Sequence, residues 1–381
     1  MVSRRALLAS GAAGIGGLAG CAANPPLPDA AGTDRRVPAG DEGEADAARI
    51  GLVGDLMLGR SVADRWADAD DPEAVWGSTL PRLRELDALV GNLECCVSDR
   101  GERWPDKVYY FRSPPSFAVP ALEAAGASFV SLANNHVLDY REPALRDTRA
   151  RLAEAGIARA GAGRNADAAL EPATFEAGDL TVAAFGLTDQ STAFAATDAD
   201  PGTAFARLDP AVRETRALVA DVLDRVAEHD PDLVVASLHW GANWETEPRA
   251  VHERFGRWLV ERGVDVVHGH SAHVLQGVEV YRGRPIIYDA GDFVDDYVSY
   301  RDRQGVRNKR SALFELVVRD GDPAALDVVP TEIVDETAAL ADEGGAQWVR
   351  ETVAERSAPY GTPIEGVDGE GADGRLRIPL D

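Results

Sequence analysis

The chain has 381 residues, 45% of them hydrophobic, and carries 64 Asp and Glu against 39 Lys and Arg, for a formal net charge of −25. That apolar fraction excludes a disordered acidic tail and suffices for one large core or two smaller ones. The charge excludes nucleic acid as a partner, because a phosphate backbone would be repelled instead of releasing counterions to a basic face.

In chain order, the first element reads as an export signal. Ser3, Arg4, Arg5, Ala6, Leu7 and Leu8 form a twin-arginine n-region, followed by a short Ala/Gly-rich apolar stretch that ends at Gly20. At about 15 residues the stretch is too short to cross a bilayer as a helix. Leu18-Ala19-Gly20-Cys21 resembles a lipobox, in which small residues admit a peptidase and the thiol accepts a lipid. Residues 1–21 are therefore expected to send the protein out of the cytoplasm and anchor it to the membrane through Cys21, at the cell surface. Loss of Arg4 and Arg5 would take the charge to −27. Residues 22–48, rich in Pro, Ala, Gly and acidic side chains, read as a flexible acidic linker. Cys95 and Cys96 are neighbours, a spacing that disfavours a mutual disulfide, and read as small buried hydrophobes.

From residue 49 onward, aliphatic runs at 50–53, 88–90, 128–132, 180–185, 233–238, 264–267, 274–280 and 285–288 read as strands. Helix-period segments at 143–155, 210–228 and 248–262 lie between them, each opening with Pro at or near its first turn. The alternation indicates an α/β fold. The first strand lacks a Gly-rich nucleotide loop after it, so dinucleotide and Walker-type readings fall away. In the tail, 313–318 and 325–329 read as strands completing a second sheet, 347–356 as a helix and 361–374 as a Gly- and acid-rich loop. Residues 49–300 are thus expected to form the main domain and 301–381 to complete it.

Polar groups crowd the strand ends. Asp55, Asn92 with Glu94, Asn134-Asn135-His136, His239 and the His268, His270, His273 group each follow an apolar run, and five of the seven histidines stand at such ends. In an open α/β sheet those ends line the ligand crevice. Taken singly, Asp55 reads equally as a helix cap, Glu94 as a solvated loop residue, the Asn pair as left-handed turn formers, and a lone His as structural. Together, imidazoles, carboxylates and an amide suit a borderline divalent ion, which would activate water for hydrolysis.

In order, Gly54-Asp55 with Gly59-Arg60, Asn92-Leu93-Glu94, Phe111-Arg112-Ser113-Pro114, residues 131–140, Gly161-Ala162-Gly163-Arg164-Asn165, His239-Trp240-Gly241 and residues 270–276 resemble the CapA family of capsular poly-γ-glutamate biosynthesis. The resemblance runs from about residue 50 to residue 297. That family is similar to the calcineurin-like metallophosphoesterases, which implies a four-layer α/β/β/α sandwich around one or two divalent transition-metal ions, Mn, Zn or Fe. By the resemblance, Asp55, Glu94, His239, His270, His273 and an amide, Asn135 in preference to Asn134, are metal ligands, His136 is the proton donor to a leaving group with Asn134 as its catalytic companion, and Arg60 and Arg112 clamp a phosphate or carboxylate.

Three departures stand out. Metallophosphoesterases carry Asp-x-His in the first motif, where this chain has Met57. The capsule family often reads Gly-His-His-Pro-His where Gly269-His270-Ser271-Ala272-His273 stands here. Asp292 replaces a common Asn, and with Asp295 and Asp296 it reads either as holding a further ion or as acidic surface, the surface reading being preferred. Two functions follow from the resemblance: a surface-anchored metal-dependent hydrolase of phosphoester or amide bonds in an acidic polymer, or a non-catalytic assembly and export factor that grips polyglutamate carboxylates through the metal site. A membrane synthase complex remains open as a further partner. Only Lys107 and Lys309 are lysines among the 39 basic residues, which with the acidity resembles the proteins of extreme halophiles.

Overall fold

The computed structural model describes residues 47–67, 71–299, 306–366 and 374–380. The expected export signal, Cys21 and the linker up to residue 46 lie outside the described residues, as does 367–373 of the expected C-terminal loop.

The first half comprises β1 (Ala48–Leu56), α1 (Arg60–Trp66), β2 (Ala88–Leu93), α2 (Pro115–Ala124), β3 (Ala127–Ser131), α3 (Arg141–Glu154) and β4 (Ala158–Ala160). Next come β5 (Ala173–Ala177), β6 (Leu180–Thr188), α4 (Arg213–Glu228), β7 (Leu233–His239), α5 (Ala250–Val260), β8 (Val266–His270), β9 (Val278–Tyr281) and β10 (Arg284–Ile287). The remainder holds β11 (Asp292–Val294), β12 (Arg310–Arg319), β13 (Asp322–Val334), α6 (Glu343–Ser357) and β14 (Leu376–Pro379).

Two sheets result. In the first, β1 to β4 run parallel in sequence order, while β12, β13 and β14 continue from the other side of β1 with antiparallel pairing. In the second, β10, β8, β7 and β6 are parallel, and β9 and β5 close the edges as antiparallel strands.

Side-chain alternation builds four layers from these sheets. Along β6, Val182 and Ala184 face inward and join Ile50, Leu52, Val90, Phe129, Val235 and Val266 in a buried cluster between the sheets. Ala183 and Phe185 face outward, against Val219 and Val222 of α4 and Phe255 and Leu259 of α5. The far face of the first sheet, with Val53, Leu89 and Val130, packs on Phe117 and Leu122 of α2 and Leu145 and Leu152 of α3. Each fully buried Val or Leu contributes about 1.5–3 kcal/mol, and strands covered on both faces read as continuous apolar runs, as 233–238 does. The architecture is an α/β/β/α sandwich of metallophosphoesterase type.

Several boundaries differ from the sequence reading. Helices α4 and α5 start at Arg213 and Ala250, so Pro210 and Pro248 stand ahead of them; residues 209–212 form a separate turn closed by Val212 N on the Asp209 carbonyl, 3.0 Å. Residues 274–277 hold only a single bridge, Leu275 to Ala290: Gly277 passes so close to the Arg356 carbonyl that a Cβ would sit 2.2 Å from it, and the strand begins at Val278. The tail strands complete the first sheet, not the second. β12 lies beside β1 with Leu316 opposite Ile50 and Phe314 opposite Leu52, a register that keeps all four in the central cluster.

Candidate metal centre

β1, β2, β7 and β8 all finish at one edge of the sandwich, and parallel registers set their last side chains abreast. Asp55 lies opposite Asn92 on β2 and His239 opposite His270 on β8. Glu94 follows β2, Asn134, Asn135 and His136 follow β3, and His273 lies just past β8. β11 adds Asp292 in register with Asp55, held by Asp55 N on the Gly291 carbonyl at 3.0 Å. This close approach needs glycine at 54, where a Cβ would meet the Gly291 oxygen at 1.7 Å.

A hydrogen-bond chain sets the imidazole tautomers. His268 Nε2–H donates to the Val53 carbonyl at 2.9 Å, so its Nδ1 bears a lone pair and accepts from the Ser237 hydroxyl at 3.4 Å. The Ser237 oxygen then accepts from His270 Nε2–H at 3.0 Å, leaving a lone pair on His270 Nδ1. His239 Nε2–H donates to Asn135 Oδ1 at 3.1 Å, which frees His239 Nδ1 in the same way. The two Nδ1 atoms face each other at 3.0 Å, and His270 Nδ1 is 3.5 Å from Asp55 Oδ1. Burial drives His239 down to about 4 and His270 well below its ordinary value, against the pull of Asp55, so both are neutral at pH 7. Three lone pairs converging with no imidazole proton between them fit a bound cation.

A second group shares Asp55. Ligand atoms of Asp55, Glu94, His273 and Asp292 all lie within 4.8 Å of one another, as do those of Asp55, His239 and His270. His273 Nδ1 is 2.8 Å from Asp292 Oδ1, 3.2 Å from Asp55 Oδ2 and 4.0 Å from Glu94 Oε2. Both Glu94 oxygens and Asp292 Oδ2 are buried without a hydrogen-bond partner among the described residues. Burial and the neighbouring Asp55 charge push Glu94 well above the usual carboxylate range; burial has the same tendency at Asp55, but the His273 hydrogen bond and the His270, His239 and His273 charges outweigh it and hold Asp55 low. Orphaned buried carboxylates are the donors a metal ion satisfies.

The reading of Asp292, Asp295 and Asp296 as acidic surface is overturned. Asp292 and Asp295 are buried, and Asp296 is turned inward to Arg60 Nε at 3.0 Å and Ser61 Oγ at 3.0 Å. Lys309 pairs with Asp295 and holds it beside the site. Strand pairing between β1 and β11 pulls this acidic run under the crevice.

Beside the second group, His136 Nδ1–H donates to Asp139 Oδ2 at 2.7 Å, and its ring stacks on Phe111 at 3.7 Å between centroids. Burial lowers His136 to about 4 in spite of Asp139, so its Nε2, 3.9 Å from Glu94 Oε1, is a proton acceptor at neutral pH. Lys107 donates to Asp139 and to the Asn135 carbonyl, and lies 3.2 Å from His136 Nδ1. Asn134 is fully engaged in holding the turn: its Oδ1 accepts from His136 N and Val137 N, each at 3.0 Å, and its Nδ2 donates to Asn92 Oδ1 at 3.0 Å and to the Leu93 carbonyl at 2.9 Å.

The two arginines part company. Arg60, at φ 52°, lies over the Tyr109 and Phe111 rings at 5.6 and 5.1 Å, with Nη1 buried and unpartnered among the described residues. Arg112, in the two-residue strand Arg112–Ser113, instead lies 4.0 Å over the Tyr140 ring, while the preceding Phe111 stacks on His136. Backbone strain marks the site as well, with Ser271 at φ 108° and His273 at φ 58°. Asp55 Oδ2 and Asp289 Oδ2 hold that turn by accepting from Ser271 N and Ala272 N at 3.2 and 2.6 Å.

Sequence reasoning gave no role to Ser237, Asp139, Lys107 or Asp289, named Asn92 only as a strand-end polar group and read Asp292 as surface. Asn92 donates to Asp55 Oδ1 at 2.7 Å and lies 3.3 Å from His239 Nδ1. Its place two residues before Glu94, near the end of β2, was a usable signal, as was the three-residue spacing of His136 and Asp139. Nothing local in the sequence marks Ser237, Lys107 or Asp289.

Residues 49–297 match the family model described as bacterial capsule synthesis protein PGA_cap. A "Probable polyglutamine synthesis accessory protein" of Mycobacterium tuberculosis (strain H37Rv) is 34% identical over 363 residues, covering 84% of this chain and 94% of that protein. The capsule biosynthesis protein CapA of Bacillus anthracis is 32% identical over 76% of this chain and 68% of its own length. The PGA biosynthesis protein CapA of Bacillus subtilis (strain 168) is 28% identical over 77% of this chain and 74% of its own.

Proposed function

The chain belongs to the bacterial capsule synthesis protein family PGA_cap and is related to capsular poly-γ-glutamate biosynthesis; from that premise we propose a surface-anchored, metal-dependent hydrolase of phosphoester or amide bonds in an acidic polymer. The observation that carries this reading is the pairing of a buried cluster of carboxylates and imidazoles, with His239 and His270 neutral, with the His136–Asp139 pair, whose Nε2 stands 3.9 Å from Glu94. Anchoring through the twin-arginine segment and Cys21 belongs to the same proposal, tested by whether Cys21→Ser moves the protein from membrane to soluble fractions.

Asp55, His239 and His270 would hold one ion, and Asp55, Glu94, His273 and Asp292 a second, of Mn, Zn or Fe class. A bound divalent ion supplies a lowered water pKa and polarisation of an ester or amide oxygen. Asp139 fixes the His136 ring with Nδ1 protonated, so His136 Nε2 accepts a proton from the attacking water and returns it to the leaving group. Lys107 neutralises Asp139 and clamps the Asn135 carbonyl, which keeps the His136 turn in place. Arg60, fixed by Asp296, offers its unpartnered Nη1 to a substrate carboxylate or phosphate oxygen.

The test compares the full chain with His136→Ala in cleavage of poly-γ-glutamate and of an aryl phosphodiester, with added Mn²⁺ or Zn²⁺. Turnover in the parent that is lost in the variant supports the hydrolase. No turnover in either, with polymer binding retained, sinks it in favour of an assembly factor.

A further inference from the structure

We propose that Asp292 builds a separate, oxygen-rich cation compartment, filled by a hard divalent ion such as Mn²⁺ or Mg²⁺, while the His239–His270 compartment takes Zn²⁺ or Fe²⁺. This rests on the metal reading of the site and assigns each compartment its own cation class.

The argument begins at the end of β1. Met57 stands where an Asp-x-His motif would place an imidazole, yet its side chain is fully buried in the apolar cluster under the first sheet. Its backbone N–H donates to the Val294 carbonyl at 3.0 Å, and this bond helps dock β11 alongside β1. The docked strand places Asp292 opposite Asp55. A carboxylate from a distant segment thus supplies a donor where the first motif has none.

The resulting set is three carboxylates and one imidazole, Asp55, Glu94, Asp292 and His273, against one carboxylate and two imidazoles in the other group. An acidic cluster alone would signify little. Here both oxygens of Glu94, 1% exposed, and Oδ2 of Asp292, also 1% exposed, are buried with no donor among the described residues. Asp295, the adjacent buried acid, pairs with Lys309 and is still pushed well above the usual carboxylate range by burial and the Asp292 charge, while both Glu94 oxygens keep the deficit. Oxygen-rich sets favour Mg²⁺ and Mn²⁺, whereas imidazole-rich sets favour Zn²⁺ and Fe²⁺. Asp55 belongs to both groups, each of its oxygens facing a different histidine: Oδ1 lies nearest His270 and Oδ2 nearest His273.

The experiment strips the full-length chain with chelator, adds one equivalent of Zn²⁺ and titrates Mn²⁺, reading free Mn²⁺ by electron paramagnetic resonance and bound Zn²⁺ by elemental analysis. The parent is expected to hold one ion of each kind. Asp292→Asn should weaken Mn²⁺ at least tenfold and remove the Mn²⁺-induced rise in Tm, while Zn²⁺ is retained. Mn²⁺ affinity within threefold of the parent, or a Tm lowered equally with and without Mn²⁺, gives Asp292 only a structural role and overturns the proposal. Loss of both ions in Asp292→Asn overturns the separation into two compartments. Failure of the parent to hold any ion overturns the metal reading itself.

Discussion

Ser237 has no contact with substrate in any reading of the site, yet its removal should weaken metal binding. Its hydroxyl is the middle of the chain that runs from the Val53 carbonyl through His268 to His270 Nε2, at 2.9, 3.4 and 3.0 Å. Ser237→Ala leaves His268 Nδ1 and His270 Nε2–H without partners in fully buried surroundings. Each such group costs about 1–3 kcal/mol. His270 escapes part of that cost by moving its proton to Nδ1, the nitrogen that faces Asp55 and His239. A displaced tautomer at a ligand typically costs about 10–100-fold in metal affinity, or about 1.4–3 kcal/mol. The assay is competition for Zn²⁺ against a chelator of known affinity, with thermal melting of the metal-free protein in parallel. Zn²⁺ affinity within twofold of the parent, whatever happens to Tm, would refute the tautomer argument, because a loosened β7 lowers Tm without choosing a nitrogen.

The buried neutral imidazoles should add an acid-sensitive component to the stability of the metal-free protein, opposed by Asp289, lifted to about 8, and by the raised Glu94, Asp295 and His273, whose contributions are lost as pH rises. His136, His239 and His268 titrate near 4 in the fold against 6.5 when unfolded, so between those values the unfolded chain binds more protons at them, and their contribution falls as pH drops from about 6.5 toward 4. Each imidazole accounts for up to about 3 kcal/mol, and a change in urea midpoint between pH 7.5 and pH 5 in chelator that is the same in His268→Gln as in the parent would contradict this. Asp139→Asn should lower kcat about 10²–10⁴-fold with KM little changed, since the amide no longer fixes Nδ1–H on His136; a loss confined to KM would argue against a proton-transfer role. Arg60→Ala should weaken polyglutamate oligomer binding about tenfold by calorimetry, about 1.4 kcal/mol, and unchanged affinity would remove the clamp. Polymer binding should persist from dilute buffer to molar salt, where the Debye length is about 3 Å and the distant acid surface no longer repels the ligand; binding lost in molar salt would show that long-range charge governs it.

What the sequence disclosed and what it withheld follow from the range of the interactions involved. The α/β alternation was legible because both sheets are sealed on two faces, so apolar runs alternate with helix-period segments; the four-layer arrangement came only with the family resemblance. Asp55, His239 and His270 were legible because parallel strands deliver their C-terminal residues to one edge, a consequence of topology that needs no coordinates. Ser237 was not, since its role depends on the register between β7 and β8, which sets it beside His268. Asp292 was noticed as a departure and misjudged as surface, because nothing between residues 57 and 292 reveals that β11 docks on β1. The tail strands were recognised but assigned to the wrong sheet for the same reason: pairing partners separated by more than 250 residues leave no local trace. Arg112 shows the converse limit, for a motif position carries no information about which way its side chain points.

The two lysines have a practical consequence. Lys107 is tied to Asp139 and Lys309 to Asp295, with side chains 21% and 22% exposed, and the chain has no others. Any amine-directed reagent that reaches a side chain of this protein therefore reaches the flank of the crevice. Succinimidyl dyes, biotinylation and coupling to a sensor surface would consume the two cations that balance buried aspartates there, and a preparation labelled in this way would report a disabled site as an inactive protein. Coupling chemistry directed at carboxylates, of which the surface has a large excess, avoids the lysines but endangers Glu94 and Asp292 unless the crevice is filled first. Attachment through an appended peptide tag leaves both sets untouched.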